Sequence, residues 1–487
     1  MIIFASDQKS ISMNCWIALP LAVVMLTASR CAEKQNTLRM EPVRYEDGTA
    51  VTGEAEADSL FIQDRFLTDT TCTDKGDTVV TIRHASAYVR MQLGGVPRGA
   101  DRILLVPTEG AVTEIPVTGH DADSIVLWMA KEPGRIPAAA AVALTPDGHI
   151  WSSRLPGLEL EAGIAYRRDA TLLSPEAPAS GLQATPLPQT LLDLPAGEYS
   201  GITWISEDSY AVVNDNLKGG GIVLFTIPIG PDGMVEEVTA RIPEGTAQAS
   251  GRSRDPEGIA FAPGRNRLYV SSEKHQDIRE YNLEGRETGP GLRIPADLST
   301  SAIVANQGFE ALTFNEETGL FWTTTEAPLK RDTFLPQLHR LQSFSRDGAP
   351  SERYFYQAEA PSKSTSEAAG AQAYVFGIPA ITALDDGRLI ILEREVYVPK
   401  GGLLDKFLDS FTQTNLYLVD PVRDGAGILR KSLLCTFTTR AMDLANFEGM
   451  CLGPTLPDGH RCLILIADSQ NSAGGLTQEF VKVVLLR

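Results

Sequence analysis

The chain has 487 residues, of which 43% are hydrophobic and 22% are charged, and its formal net charge is −19. This composition is ordinary for a folded protein and argues against large disordered regions. The acidic balance argues against nucleic acid as a partner, because such binding needs a basic stripe to neutralise phosphates. The 42 glycines and 30 prolines between short apolar runs predict a turn-rich β protein of two or three domains.

The first predicted element is an apolar run over residues 16–27. It is shorter than the roughly 20 residues that cross a bilayer and has the length of a signal-peptide apolar region. We therefore predict a signal peptide over residues 1–31 and export to the periplasm or the surface of a bacterial cell; a buried core helix is the alternative. Cys31 stands where a lipoprotein carries its lipid, although Arg30 occupies a position that favours a small residue. A lipid anchor in the outer membrane at Cys31 is therefore left open.

Residues 36–175 form the next predicted unit. Alternation of apolar and polar residues over 78–82 and 86–93 predicts half-buried strands. About seven such strands separated by turn signals indicate a β-sandwich. His84 is expected to be a packed or surface residue rather than a metal ligand, because no second histidine lies nearby in the sequence.

The segments 79–95 and 160–172 resemble fimbrillin-like adhesin domains, in which an alternating strand precedes a closing G-x-x-Y strand. A stretch rich in proline, alanine and serine then predicts a linker over 176–188. The linker separates this unit from a second domain over 189–487.

A repeated unit organises the second domain. It consists of an apolar strand, a turn, a second apolar strand and a closing carboxylate. The closing carboxylates are Asp215, Glu273, Glu326, Glu393 and Asp468. Successive units start about 50–70 residues apart, which suits one four-stranded propeller blade per unit. The sequence therefore predicts an all-β protein, in which a β-sandwich is followed by a β-propeller of six blades, with five blades as the alternative.

Carboxylates also stand in the first strand of some of these units, at Glu257, Glu310 and Glu448. In an antiparallel hairpin the start of the first strand lies beside the end of the second, so each of them is expected near the closing carboxylate of its own unit. If the hairpins form the inner part of the blades, the carboxylates of both sets gather at one face and predict a metal site. Ordinary solvated charges at strand ends are the alternative.

Cations follow most of the closing carboxylates. They are Lys218, Lys274, Lys330, Arg331 and Arg394. Carboxylates with interspersed cations suit a metal ion that holds phosphate oxygens, with lysine and arginine completing the anion site. Local salt bridges of little energetic consequence are the alternative.

The six cysteines are too few and too scattered for a disulfide framework. Cys15 and Cys31 lie in the leader. Cys451 and Cys462 are expected either to face each other in one hairpin or to be two buried free thiols.

Several segments of the second domain resemble the signature of the phytase-like family, whose description is esterase-like activity of phytase. They are DPEGIAF (255–261), NQGFEALTF (306–314), ERE (393–395), NFEGMCLG (446–453) and IADSQN (466–471). The resemblance covers nearly all of residues 195–487. It implies a β-propeller and an exported or envelope location. The name of the family is taken from phosphoester hydrolysis.

Propeller phytases use calcium ions at the propeller mouth to bind phosphate and to activate water, so the resemblance implies calcium as a cofactor. This chain departs from that pattern in lacking a strongly basic face overall, which puts a highly phosphorylated substrate such as phytate in doubt. Our leading hypothesis is calcium-dependent phosphoester hydrolysis, with a small-molecule or phosphorylated substrate as the partner; a non-catalytic binding or adhesion module with a surface ligand is the alternative.

Other chemistries have less support in the sequence. No G-x-S-x-G elbow for a serine nucleophile is present, and nothing pairs His275 or His339 with a nucleophile. Zinc is not expected, because no close histidine or cysteine pair has ligand spacing. The sequence therefore names candidate metal and substrate ligands but no catalytic residue.

Overall fold

The computed structural model describes residues 2–4, 36–52, 54–72, 78–117, 123–146, 148–194, 197–469 and 478–487. The chain divides into two compact units, Met1–Ser174 and Pro175–Arg487. The predicted signal-peptide core and the possible lipid site at Cys31 lie outside the described residues. A search of the described residues for membrane-crossing helices finds none of sufficient length and apolarity.

Short strands and one helix make up the described part of the first unit. The strands are β1 (Ile2–Phe4), β2 (Asn36–Met40), β3 (Arg44–Tyr45), β4 (Phe66–Cys72), β5 (Thr78–His84), β6 (Ala87–Gly94), β7 (Arg102–Pro107), β8 (Thr113–Pro116), β9 (Ser124–Lys131), β10 (Gly134–Ile136), β11 (Ala139–Leu144), β12 (Ile150–Leu155), β13 (Leu158–Leu160) and β14 (Ile164–Thr171), and the helix is α1 (Ala55–Gln63). They form the sheets β1-β2-β5-β4, β3-β14-β6-β9, β12-β11-β7-β8 and β10-β13.

Two of these sheets share one buried apolar cluster. Met91 and Leu93 on β6 pack with Ile103 on β7 and with Ala141 on β11. Residues two apart on β6 lie in the same cluster because successive side chains of a strand point to opposite faces. The alternation seen in the sequence over 86–93 is therefore the burial pattern of a real strand.

His84 lies in the core of the first unit. It is 5% exposed, and its Nδ1 lies 3.0 Å from the Tyr88 hydroxyl and 3.4 Å from Oδ2 of Asp64. Burial lowers the pKa of His84, whereas the charge of Asp64 opposes this effect. His84 is thus a packed histidine, which is one of the two environments that the sequence predicts for it.

Strands of the second unit form five four-stranded sheets, all within its described residues. The strands are β15 (Ala184–Leu191), β16 (Tyr199–Ser206), β17 (Ser209–Asn214), β18 (Ile222–Thr226), β19 (Thr239–Arg241), β20 (Pro256–Ala262), β21 (Arg267–Ser272), β22 (Asp277–Tyr281), β23 (Glu287–Leu292), β24 (Phe309–Asn315), β25 (Leu320–Thr325), β26 (Leu338–Ser345), β27 (Pro350–Gln357), β28 (Ala373–Ala383), β29 (Leu389–Val398), β30 (Phe411–Val419), β31 (Ser432–Arg440), β32 (Asn446–Thr455), β33 (Arg461–Asp468) and β34 (Phe480–Leu486).

Each sheet is one propeller blade. Blades 1 to 4 are β16–β19, β20–β23, β24–β27 and β28–β31, and blade 5 has the order β15-β34-β33-β32. The inner strands β16, β20, β24, β28 and β32 contact one another in turn, and β32 contacts β16. The described residues thus close a ring of five blades, which corrects the favoured prediction of six and agrees with the stated alternative.

Blade 5 explains how the ring closes. The final strand β34 pairs with β15, so that Thr190 lies opposite Val481. The end of the described chain therefore completes the fifth blade and forms no sixth. Residues 184–188, predicted to be linker, are part of β15.

The apolar core of the second unit lies between neighbouring blades. Val213 of blade 1, for example, packs with Ile259 and Val270 of blade 2 in one buried cluster. Comparable clusters join blades 2 and 3, 3 and 4, 4 and 5, and 5 and 1. Burial of each such side chain contributes roughly 1.5–3 kcal/mol, so the blades are stabilised mainly by their flat faces.

Short helices decorate the loops of this unit. They are α2 (Glu244–Ala247), α3 (Thr365–Gly370) and α4 (Leu403–Asp409), with 3-10 turns at Pro263–Arg265, Ala296–Leu298 and Ala441–Asp443. Helix α3 begins with a capping box, in which Ser364 and Glu367 bond each other's backbone N–H groups.

Glycines allow the inner strands to approach closely. A Cβ at Gly201 would overlap the carbonyl oxygen of Glu257, and one at Gly258 would overlap that of Glu310. A Cβ at Gly449 would likewise overlap the carbonyl oxygen of Ser200. The inner strands therefore pack backbone against backbone at the level where the carboxylates stand.

Candidate metal centre

Carboxylates of different blades meet at one edge of the propeller. The inner strand of each blade starts there and the second strand ends there. The backbone N–H of Asp215 donates to the carbonyl of Glu198 (3.3 Å), and that of Glu273 donates to the carbonyl of Asp255 (3.0 Å). In blade 3, the backbone N–H of Glu326 likewise donates to the carbonyl of Gly308 (2.8 Å), two residues before Glu310. The predicted neighbours Glu257 and Glu273 bring carboxylate oxygens within 4.8 Å of each other, and the charge of Glu326 acts on its predicted neighbour Glu310.

Two groups of three carboxylates bring their oxygens together. In each group, ligand oxygens of all three residues lie within 4.8 Å of one another. The first group is Asp215, Asp255 and Glu257, and the second is Glu257, Glu273 and Glu310. Because Glu257 belongs to both, the five side chains form one continuous arc across blades 1, 2 and 3.

More carboxylates surround this arc. We use the name acidic ring for Glu198, Asp215, Asp255, Glu257, Glu273, Glu310, Glu326 and Glu448. Glu448, from blade 5, acts through its charge on Glu257, Glu310 and Glu326. Neighbouring acidic groups in a desolvated place raise one another's pKa, because a second negative charge is unfavourable there.

The electrostatics of the acidic ring agree with this crowding. Desolvation raises the pKa of Asp215 to about 7, and the charge of Glu198 adds to the effect. Desolvation also raises the pKa of Glu326 to about 7, although Arg394 opposes it. The pKa values of Glu257 and Glu310 lie well above their usual range, again first by burial and then through neighbouring carboxylates. Ionisation of all carboxylates of the acidic ring is therefore unfavourable unless positive charge is added.

Arg394 is the predicted cation that reaches the ring. Its guanidinium forms ion pairs with Glu326, at 2.5 Å, and with Glu448. Arg394 is 3% exposed, and its Nε has no hydrogen-bond partner within the described structure. One guanidinium therefore pairs with two carboxylates, and its single positive charge leaves the arc centred on Glu257 with excess negative charge.

Strand register shows that Arg394, not Glu393, is the blade 4 equivalent of the closing carboxylates. Arg394 lies opposite Gly377, as Asp468 lies opposite Asn446 in blade 5. Adjacent residues of a strand point to opposite faces, so Glu393 leaves the ring. Its carboxylate instead accepts hydrogen bonds from Tyr356, Lys431 and the backbone N–H of Glu359. The prediction of Glu393 as a metal ligand is corrected on this ground.

Asp468 and Glu448 both belong to the β32–β33 hairpin. Asp468 is buried and lies opposite Asn446 in the hairpin. Nδ2 of Asn446 donates a hydrogen bond of 2.8 Å to Oε1 of Glu448. Asp468 thus lies at the same strand end as the other closing carboxylates. Its participation in a metal site stays a prediction.

The other predicted cations lie in different surroundings. Lys218 and Lys274 are exposed, and each follows a residue of the ring. Nζ of Lys330 lies 3.4 Å from the carbonyl of Ser301, and Arg331 forms a 2.6 Å ion pair with Asp297. Lys218 and Lys274 are therefore free to contact a substrate, whereas Arg331 is held by a carboxylate outside the ring.

Sequence reasoning missed three acidic residues at this edge. Glu198 and Asp255 directly precede the inner strands of blades 1 and 2, and Glu479 directly precedes β34. Oε1 of Glu479 accepts the backbone N–H of Glu198 at 3.2 Å, and its Oε2 is buried without a partner in the described structure. Glu198 and Asp255 share a signal that could have identified them, because each carboxylate stands immediately before the first strand of its unit.

The donor set fits a hard divalent cation. The arc offers carboxylate oxygens alone, which are the ligands that Ca²⁺ prefers. Oδ1 of Asp215 is buried and has no hydrogen-bond partner in the described structure, so at least one oxygen of the first group is left unsatisfied by the protein. Zinc is disfavoured, because neither group contains histidine or cysteine.

Within the described part of the chain, neither carboxylate group includes a histidine or a cysteine. His339 is fully buried and its desolvation lowers its pKa to about 4, while its Nδ1 lies 3.3 Å from the carbonyl of Thr325. His275 is exposed beside Lys274. Cys451 and Cys462 are buried free thiols rather than a disulfide, and burial raises the pKa of both.

Comparison with known proteins bears on the second unit. A model of the family described as Phytase-like, esterase-like activity of phytase, matches residues 194–470. No curated protein sequence matches the chain. The resemblance of the first unit to fimbrillin-like domains stays a prediction.

Solved structures with a similar fold are distant in sequence. A PQQ-bound aldose sugar dehydrogenase from Streptomyces coelicolor is 12% identical with a TM-score of 0.31, over 64% of this chain and 100% of that one. A protein of unknown function from Bacteroides thetaiotaomicron VPI-5482 is 12% identical with a TM-score of 0.31, over 86% of this chain and 95% of that one. The β-propeller domain of Cps50 (Swd1) from Myceliophteria thermophila is 8% identical with a TM-score of 0.26, over 61% and 99%.

Proposed function

We propose, from the premise that this chain belongs to the phytase-like family (esterase-like activity of phytase), that its propeller is a calcium-dependent phosphoester hydrolase. The observation that carries the proposal is the convergence of two carboxylate groups that share Glu257. Such a desolvated arc has more negative charge than the neighbouring Arg394 balances, so binding of divalent cations relieves its repulsion.

The residues of the chain have separate roles in this proposal. Asp215, Asp255 and Glu257 would hold one cation, and Glu257, Glu273 and Glu310 could hold another. Calcium, when bound, supplies positive charge for a phosphoryl group and lowers the pKa of a bound water. Arg394 keeps Glu326 and Glu448 in place, because both of these carboxylates accept from its guanidinium.

Substrate contacts are proposed for Lys218 and Lys274, which are exposed and follow Asp215 and Glu273 in the chain by three residues and by one. Their ammonium groups are point charges that suit phosphate oxygens. With so few free cations and a net charge of −19, a substrate with one phosphate is favoured over one with many. The proposed export from the cell would expose the centre to extracellular calcium. Extracellular protein modules bind calcium with Kd values of about 10⁻⁴–10⁻³ M.

The test combines calcium binding with turnover on the full chain. We expect calcium to raise the melting temperature relative to EDTA, and p-nitrophenyl phosphate to be hydrolysed only with calcium. Glu257→Gln combined with Glu310→Gln should remove both effects. Glu316→Gln is the matched control, since Glu316 forms an exposed ion pair with Arg346 and should leave both unchanged.

The outcomes separate the two functions that the sequence left open. Full calcium-dependent turnover in the double variant would sink the assignment of the centre. A calcium shift without turnover on any phosphoester would favour the alternative, a binding or adhesion module in which the cation is structural. Absence of both effects in the wild-type protein would contradict the metal centre itself.

A further inference from the structure

A cavity of about 340 Å³ opens on the face of blade 4, outside the two carboxylate groups of the metal centre. It lies between the strands β28 to β31 and the segment 359–362, which joins blade 3 to blade 4. Its size is at the lower end of the range for small-molecule sites, ~300–1,000 Å³. The proposed hydrolase does not use this cavity.

Strand register builds the cavity wall from residues two apart. Gln413 lies opposite Glu395, and Asn415 lies opposite both Glu393 and Thr436. All five line the cavity, because alternate residues of neighbouring strands share a face of the sheet. The wall therefore carries a row of polar side chains across three adjacent strands.

Carboxylates at this wall are already compensated by the protein. Oε1 of Glu393 accepts from Nζ of Lys431 at 2.8 Å and from the Tyr356 hydroxyl. Oε1 of Glu395 accepts the hydroxyl of Tyr374 at 2.9 Å and the backbone N–H of Lys363 at 3.1 Å. Lys431 also pairs with Glu359 at 3.0 Å, so one ammonium serves two carboxylates of the lining, and the donors to Glu395 are neutral. A metal or an organic cation is still not the favoured occupant, because it would have to displace protein donors that already bond these oxygens.

The same carboxylates keep one acceptor position each. Oε2 of Glu393 accepts only the backbone N–H of Glu359, at 3.0 Å, and Oε2 of Glu395 only that of Ser362, at 3.0 Å, among the bonds of the described structure. A carboxylate oxygen has about two lone-pair sites, so each can accept one more O–H. An anion is excluded, since it would meet the three lining carboxylates Glu359, Glu393 and Glu395, and Arg394, the cation of the described lining, is already paired with Glu326 and Glu448.

Neutral groups complete the wall. Gln413 makes no side-chain hydrogen bond within the described part of the chain, so its amide can both donate and accept. Phe376 and Tyr417 add aromatic surface to the lining. Pockets with aromatic walls and a few placed polar groups orient small ligands, and amide and carboxylate groups beside aromatic rings match a ligand with many hydroxyls and an apolar ring face.

We propose that this cavity binds a neutral polyhydroxylated ring of the size of a monosaccharide. The proposal is independent of phosphoester hydrolysis, because it rests on a different set of side chains. Arg394 lines the cavity and pairs with Glu326 and Glu448 of the acidic ring, so a sugar bound in the cavity would lie close to the metal centre.

The experiment uses saturation-transfer NMR and titration calorimetry on the full chain in EDTA. The probes are D-glucose, D-galactose, D-mannose and myo-inositol, with inorganic phosphate and choline as charged comparisons. We expect at least one of the four polyols to bind and the charged probes not to bind. Gln413→Ala and Thr436→Val should each weaken binding by about tenfold, the effect of one lost hydrogen bond of about 1.4 kcal/mol.

Matched controls keep the result interpretable. Gln183→Ala makes the same change at an exposed position outside the cavity and should bind as wild type, and so should Glu257→Gln, which disables only the metal centre. Circular dichroism of each variant should show a native fold. The proposal is overturned if none of the four polyols binds, if the two cavity variants bind as wild type, or if phosphate or choline binds in the cavity instead.

Discussion

Arg394 shows how a single residue sets the charge balance of the metal centre. Its guanidinium bonds Glu326 and Glu448, and all three side chains are at least nine-tenths buried. A buried cation between two carboxylates offsets part of their desolvation but adds nothing for the arc around Glu257. The centre is thus half compensated by the protein and half left for an external cation.

This imbalance predicts an unusual pH dependence in EDTA. Desolvation raises the pKa of Glu326 in the folded protein to about 7, whereas an unfolded glutamate has a pKa of about 4.3. Between these values the folded state holds a proton that the unfolded chain has released, so the free energy of unfolding contributed by Glu326 falls as pH rises. Urea unfolding at pH values from 5 to 7 gives the free energy of unfolding as a function of pH. This free energy should fall less steeply with pH in Glu326→Gln than in the wild-type protein, by up to ~1.4 kcal/mol per pH unit.

Calcium and a surface variant provide the controls for that measurement. Saturating calcium should remove most of the difference between the two proteins, because bound cations favour the charged carboxylates. Glu316→Gln should keep the wild-type slope, since its carboxylate is exposed. Equal slopes for wild type and Glu326→Gln in EDTA would show that Glu326 is not desolvated as described.

The position of Glu393 shows where residue patterns stop being sufficient. The sequence places a carboxylate after each second strand, and four of the five residues so identified stand at equivalent strand ends. In blade 4 the hairpin continues further, since Ala373 still pairs with Val398. Each inner hairpin has a register shift near the start of its first strand, and counted from the shift between Gly377 and Ala380 the equivalent position in blade 4 is Arg394. Register within a long hairpin depends on tertiary pairing, which a count of residue types does not contain.

At the scale of elements, the inner strands were the most predictable part of the fold. Each combines an apolar alternation with a small residue that lets the neighbouring strand approach, as Gly258 does. Strand β15 was the least predictable, because Pro186 and Pro188 made it look like a linker. It is the outermost strand of blade 5, and prolines are tolerated on edge strands, where a backbone N–H need not bond a neighbour.

Gly258 provides a test of the close approach between inner strands. A Cβ at this position would overlap the carbonyl oxygen of Glu310 and lie 2.8 Å from the backbone N of Leu312. We expect Gly258→Ala to lower the free energy of unfolding by about 1–3 kcal/mol, the usual cost of overpacking, and to weaken calcium binding because Glu310 must move. Urea unfolding and calcium titration measure the two effects.

Gly370→Ala is the control for this substitution. Nothing lies within 4 Å of a Cβ at Gly370, so the same chemical change should leave stability within about 0.5 kcal/mol of wild type. If Gly258→Ala were as stable as Gly370→Ala and bound calcium normally, the inner strands would be less tightly packed than the structure shows.

At the scale of the whole molecule, closure joins distant parts of the chain. Blade 5 combines β15 with β32, β33 and β34, so one sheet contains residues from both ends of the second unit. Contacts between residues so far apart in sequence form late and are slow to form. The acidic ring also depends on closure, because Glu198 and Glu448 come from blades on either side of the junction between blades 1 and 5.

Calcium should protect only those parts of the chain that carry the acidic ring. All residues of the acidic ring lie between Glu198 and Glu448, within the second unit. Cations that bridge carboxylates of blades 1, 2 and 3 should slow local opening of the strand ends that carry them, because binding to the native state alone stabilises it by RT ln(1 + [L]/Kd). Hydrogen exchange with mass spectrometry should therefore show slower exchange with calcium in peptides that contain β16, β20 and β24. Peptides from β5 to β14 should exchange at the same rate with calcium and with EDTA, and the Glu257→Gln and Glu310→Gln double variant should lose the response throughout. Slower exchange spread evenly over both units, or retained in the double variant, would mean that calcium acts elsewhere than at the shared carboxylate of Glu257.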